Sequence, residues 1–160
     1  MAKAVLISIR PRWCQKIVDG EKTIEVRKNR PKLKTPFKCY IYCTKKNDGL
    51  IKGDIPTTVG YIAKNEGKVI GEFVCDEIIS IAGAGRISSD IARPTCIEPA
   101  ELHRYLGAAN GYGWHISDLK IYDQPRELGA FRKPEYPTGL RLEDDEIKRP
   151  PQSWCYVEVL

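Results

Sequence analysis

The chain carries no run of about 18 apolar residues, so no segment reads as a membrane-spanning helix. Its first apolar stretch is only Ala4 to Ile9 and is followed at once by Arg10, which does not read as a secretory signal; the cytoplasm is the expected location. Histidine is scarce, with 2 in 160 residues, and no paired Cys or His spacing of the zinc-knuckle kind occurs, so no metal site is expected. The short "GAGR" of Gly83 to Arg86 lacks the third glycine of a dinucleotide fingerprint and reads as a loop. No cofactor is implied, and there are no internal repeats.

What is present is a composition of 42% hydrophobic and 29% charged residues, enough to bury a core within a single domain spanning residues 1–160. The six cysteines, at 14, 39, 43, 75, 96 and 155, read as reduced thiols rather than a disulfide framework. Cys39 and Cys43 share strand parity with Ile41 and are expected in the core. Charge is distributed unevenly. Residues 1–46 hold 13 Lys or Arg against 3 Asp or Glu, a net +10, whereas the whole chain is only +5. Such a local field attracts phosphates and steers polyanions; a solvated face that keeps the protein soluble is the plainer reading of the same residues.

"AVLISI", Ala4 to Ile9, has strand length and the unbroken apolarity of a buried central strand. A helix follows, with Pro11 at its first position, Trp13 and Ile17 on its inner face and Gly20 as its left-handed stop. Thr23 to Lys28 reads as a strand that turns Ile24 and Val26 to the core and Thr23, Glu25 and Arg27 the other way. "FKCYIYCT" is an aromatic-rich strand, and Lys45 to Thr58 reads as a long hairpin loop. Lys68 to Ile81 reads as a long strand with a bulge at Gly71, the bend a curved sheet uses to close. "IEPAELHRYLG" is a helix burying Leu102 and Leu106; strands around Trp114 to Tyr122 and in "SWCYVEVL" complete the pattern. Strands with short helices and no regular βαβ alternation predict an α+β fold, a small mixed β-barrel with flanking helices.

Glu25 and Arg27 stand two apart on one strand and so face one side. In an open surface they are an ordinary charge pair; lining a concave wall they must be paired and hydrogen-bonded to persist, and then they are candidates for recognition. Lys22 enters the strand where its amine can reach a phosphate, a carbonyl or water. A lysine acting as base or nucleophile must lose its proton; Arg27 favours the neutral form and Glu25 the charged one, so pairing with Glu25 suits anion binding better than catalysis. Glu25 is itself a candidate general base. Arg10, Arg12 and Lys16 lie toward the outer side of the first helix. Trp13 and His115 are candidates for stacking a base, each with a structural alternative, core packing for Trp13 and a hydrogen-bonded surface position for His115. Tyr40 and Tyr42 share a strand face in a basic region, which fits either base stacking or barrel packing.

Gly20-x-Lys22-x-x-Glu25-x-Arg27, directly after a short helix that follows a first strand, resembles the signature of the ASCH (activating signal cointegrator homology) domain, a branch of the PUA-like superfamily. "ELHRYLG", "WHISDLKIYDQPRELGAF" and "RPPQSWCYVEV" extend the resemblance over nearly the whole chain, toward the longer form found in bacterial and prophage members. The resemblance implies a PUA-like barrel with the motif at a cleft, and binding of RNA or of a nucleotide or nucleobase derivative; taken with the residue reading, the expected ligand-binding residues are Lys22, Thr23, Glu25, Arg27, Arg10, Arg12, Trp13 and His115. Two alternatives accompany it. One is a small amidohydrolase of the kind that deacetylates N4-acetylcytidine, or a ribonuclease, with Lys22 and Glu25 catalytic; in that amidohydrolase branch a threonine falls where this chain has Glu25, and a further catalytic glutamate has no aligned counterpart, Glu98 and Glu101 being only nearby in the chain. The other is a coregulator module whose basic face meets an acidic protein.

Overall fold

The computed structural model describes residues 2–45, 60–141 and 143–160. In chain order they form β1 (Lys3–Ile9), α1 (Pro11–Val18), β2 (Ile24–Arg27), β3 (Phe37–Cys43), α2 (Tyr61–Lys64), β4 (Val69–Ile81), α3 (Ser89–Ala92), α4 (Pro99–Leu106), β5 (Gly111–Arg126) and β6 (Trp154–Glu158). Single 3-10 turns occupy Arg93–Thr95 and Leu128–Ala130. The strands make one six-stranded sheet in the order β2-β5-β4-β3-β1-β6, which does not close on itself among the described residues. The fold is therefore mixed α+β. Apart from Lys45, the segment expected to form a long loop falls outside the described residues. Among the described residues no helix is long and apolar enough to cross a membrane.

The chain divides into two compact units. The first comprises Met1–Gln15, Lys38–Phe73 and Lys120–Leu160. Here β1 pairs in parallel with β3, Val5 opposite Cys39 and Ile7 opposite Ile41, and antiparallel with β6, Val5 opposite Tyr156. A strand flanked on both sides and covered on both faces has no solvent side, which is why its sequence is apolar without alternation. Ala4, Leu6, Tyr40, Tyr42, Val69, Tyr122, Phe131, Ile147 and Val157 form the core of this unit. Tyr40 and Tyr42 are thus packing residues and not exposed platforms. The Tyr40 ring meets Phe131 edge-on at 4.9 Å, and its hydroxyl accepts a hydrogen bond from the Leu160 amide at 2.8 Å. Cys39 and Cys43 are buried in β3.

β4 runs continuously through Gly71, whose missing side chain serves a close backbone approach: a Cβ there would stand 2.5 Å from the Lys120 carbonyl oxygen. On α1 the buried positions are Cys14 and Ile17, three apart, while Trp13 lies at the flank, half-buried, with the Arg12 guanidinium 4.6 Å from its ring centroid.

The second unit comprises Lys16–Phe37 and Val74–Leu119. Its core is Ile24, Val26, Ile81, Ile87, Ala92, Leu102 and Leu106. α4 starts at Pro99, which has no amide proton to leave unpaired, and stops at Gly107 with φ 62°. Leu102 and Leu106, one turn apart, lock it onto β2. Replacing Gly71 by alanine should destabilise the protein by about 1–3 kcal/mol, because the backbone at Lys120 cannot yield as a side chain would; chemical denaturation of G71A against wild type measures it, and an unchanged midpoint would contradict the close approach.

Candidate functional site

The end of α1 sets up the site. The Gly20 amide donates to the Ile17 carbonyl and the Glu21 amide to the Lys16 carbonyl, both at 3.0 Å, with Gly20 at φ 76°. This is the paired closure that a glycine in the left-handed region allows, and it turns the chain sharply out of the helix. Thr23 then fastens the entry of β2: its amide donates to the Pro94 carbonyl and its carbonyl accepts from the Ile116 amide, both at 2.9 Å. Lys22 lies just before the strand, so strand parity does not fix where its side chain points.

The Lys22 side chain turns inward and is only 2% exposed as a residue. Its ammonium donates to the Thr95 carbonyl at 2.7 Å and lies 3.3 Å from Glu25 Oε2. Thr95 is itself fixed. Its hydroxyl donates to the Ala92 carbonyl at 2.5 Å and accepts from the Ile97 amide at 3.1 Å, while Cys96 takes a left-handed φ of 60° and ends the turn. On its other side Glu25, 6% exposed, holds Arg27, whose Nε and Nη2 stand 3.0 and 2.9 Å from Oε1. One carboxylate therefore joins two cations, and the cluster carries a net positive charge. Burying three ions is costly unless they neutralise one another and their hydrogen bonds are made, and losing the carboxylate would leave two like charges unbalanced. Glu25 Oε2 is buried without a hydrogen-bond partner in ideal geometry and relies on the ammonium facing it.

Register decides which other candidates join this cluster. Residues directly opposite on antiparallel strands share a face. Glu25 stands opposite Trp114 and Arg27 opposite Tyr112, whereas His115 stands opposite Ile24, on the other side of the sheet. Trp114 is buried, edge-on to Phe37 at 5.9 Å, and forms the apolar floor beside Glu25. His115 Nδ1 meets Asp76 Oδ1 at 2.6 Å near the surface, and this hydrogen bond holds the Asp76 carboxyl below its ordinary range. The structure thus brings together Lys22, Thr23, Glu25 and Arg27 and leaves His115 apart from them. Arg10, Arg12 and Trp13 belong to the first unit, where the Arg10 carbonyl accepts the Trp13 and Cys14 amides at 3.0 Å and opens α1.

Three participants escaped the sequence. Thr95 contributes a main-chain carbonyl, for which no residue-type signal exists. Tyr105, 42% exposed, and Lys28 flank the cluster, with the lysine nitrogen 5.0 Å from the ring centroid. Both are visible in the sequence as an aromatic on a short helix and one lysine among many. Among the described residues no three His, Cys, Asp or Glu side chains gather to hold a metal ion.

A mixed sheet with short helices and a Lys-Glu-Arg ion cluster running from the entry to the end of its second strand defines a class of protein. The family model of the ASCH domain matches residues 7–105, and the chain belongs to that family, with a PUA-like fold. Among solved structures, the ASCH protein of Zymomonas mobilis superposes with a TM-score of 0.64 at 19% identity, covering 97% of this chain and 87% of that one. A tyrosine-to-phenylalanine mutant of the Zymomonas mobilis protein superposes at 0.63 with 20% identity, covering 98% and 91%. A serine-to-alanine mutant does so at 0.63 with 18% identity, covering 97% and 88%. At such identities the likeness establishes the fold. No curated protein matches the sequence.

Removing the shared carboxylate should be more damaging than removing either cation's outer contacts. Glu25→Ala is expected to destabilise the protein by about 3–5 kcal/mol, read by chemical denaturation, since it strands Lys22 and Arg27 together. A loss under about 1 kcal/mol would mean that the cluster is solvated and not a buried network.

Proposed function

We propose that this ASCH domain binds single-stranded RNA or a nucleotide at the Lys22–Glu25–Arg27 cluster. The observation that carries this reading is the joining of buried Lys22 and Glu25 and partly buried Arg27 into one ion cluster of net positive charge at the entry to and along a short strand. A fold maintains such a cluster at a cost, and positioned cationic donors beside an acceptor suit a ligand that offers phosphate oxygens and a base edge. The excess of positive charge over residues 1–46 favours the same partner, and Arg10 and Arg12 supply phosphate contacts of their own on the first unit. The family's general association with RNA agrees with it.

Lys22 serves as an anchor and not as a base. Its ammonium is committed as a donor to the Thr95 carbonyl and is faced by Glu25, contacts that a proton-accepting amine does not make. Thr23 contributes mainly its backbone, fixing the cluster's position, and Glu25 orients the two cations. The deacylating reaction needs the opposite arrangement at Lys22, so catalysis is the second choice. A protein-interaction module is left as the outcome if RNA does not bind.

Fluorescence anisotropy with a short single-stranded RNA tests the reading. Three phosphate contacts would make affinity fall more than about ten-fold between roughly 50 and 200 mM salt. Lys22→Ala should weaken binding by about 1–3 kcal/mol in protein shown to be folded. Salt-independent binding, or turnover of N4-acetylcytidine by the wild type that Lys22→Ala abolishes, would overturn the proposal.

A further inference from the structure

We propose that Tyr105 and Lys28 form a nucleotide platform beside the cluster, the base stacking on the tyrosine ring and the adjoining phosphate taking the lysine ammonium. This rests on the reading that the site binds RNA or a nucleotide, and it adds the contact that would distinguish a base from backbone alone. Geometry is the reason. α4 turns Leu102 and Leu106 into the core, so the intervening Tyr105 points outward and leaves a large ring 42% exposed. Lys28 follows Arg27 directly at the end of β2, is exposed, and lies over that ring at 5.0 Å.

The Tyr105 hydroxyl also lies within the field of the cluster. Partial burial raises its pKa above the ordinary tyrosine value, while Arg27 lowers it and Glu25 raises it. An aromatic face and a solvent-accessible cation thus stand together in the same unit as the partly buried guanidinium and its carboxylate, with Lys28 next to Arg27 in the chain. These are the three contacts a nucleotide uses: a π-face for its base, a cation for its phosphate, and paired donor and acceptor for the base edge. A cation over a tyrosine is also an ordinary surface pair, but such a pair would make no distinction between a base and an abasic sugar.

The test compares wild type, Tyr105→Ala, Tyr105→Phe and Lys28→Ala for binding of a fluorescein-labelled oligouridylate, an abasic ribose-phosphate oligomer of the same length, and UMP. Tyr105→Ala should weaken oligouridylate binding about ten-fold, with Tyr105→Phe within about two-fold of wild type and abasic binding unchanged. Lys28→Ala should weaken both oligomers alike. If the alanine variant fails to fold, Tyr105→Leu keeps the apolar bulk without the ring and should show the same loss. Tyr105-dependent binding of UMP supports the platform with a free nucleotide as its source, and binding of oligouridylate without UMP supports it with RNA as the source. Wild-type affinity retained in Tyr105→Ala, or an equal loss for base-bearing and abasic oligomers, overturns the platform alone. Failure of the wild type to bind any of the three probes overturns the RNA reading and the platform together.

Discussion

Glu25 stands between Lys22 and Arg27, and the local architecture of the second unit follows from keeping that carboxylate paired. The ammonium reaches it only because the chain leaves α1 through a left-handed glycine and Thr23 is tied to the Pro94 carbonyl and the Ile116 amide. The guanidinium reaches it because positions two apart on a strand share a side. The Thr95 carbonyl completes the set, held by a turn that ends at a left-handed Cys96. Each constraint is modest, yet loosening any one would leave an ion in a poorly hydrated place without its counter-charge, which is more costly than losing a neutral contact.

Much of this was readable in the chain, for physical reasons that are local. Pro11 and Gly20 bracket α1 because one lacks an amide proton and the other tolerates positive φ; Ile24 and Val26 face the core by simple alternation. Leu102 and Leu106 declare α4 by their spacing. One helix face differs from expectation. Trp13 was expected inward with Ile17, but Cys14 takes the inner position, since a helix face is chosen by what it packs against and not by the largest apolar side chain. The room that Gly71 leaves for the Lys120 backbone is a different case, since the neighbour that needs it lies about 50 residues away and has no signal in residue type.

The site itself was half legible. Lys22, Glu25 and Arg27 are close in sequence, and strand geometry brings the last two together. Thr95, 73 residues from Lys22, enters through its main chain and leaves no trace in residue type. His115 stands on the other face from Glu25, and that depends on the register of β2 against β5, which a single-residue slip would reverse. Membership of the ASCH family accounts for the fold, shared with the Zymomonas mobilis protein at 19% identity. At that distance the backbone is inherited more faithfully than the side chains that decide a ligand.

The central claim is that RNA meets this chain at the Lys22–Glu25–Arg27 cluster on and just before β2. The most direct measurement is an amide chemical-shift titration of the isotopically labelled protein with a short single-stranded RNA. The account predicts the largest perturbations from Lys22 to Lys28, at Thr95 and Cys96, and along the outer side of α4. Perturbations confined to other residues, with these amides unmoved at saturation, would contradict it.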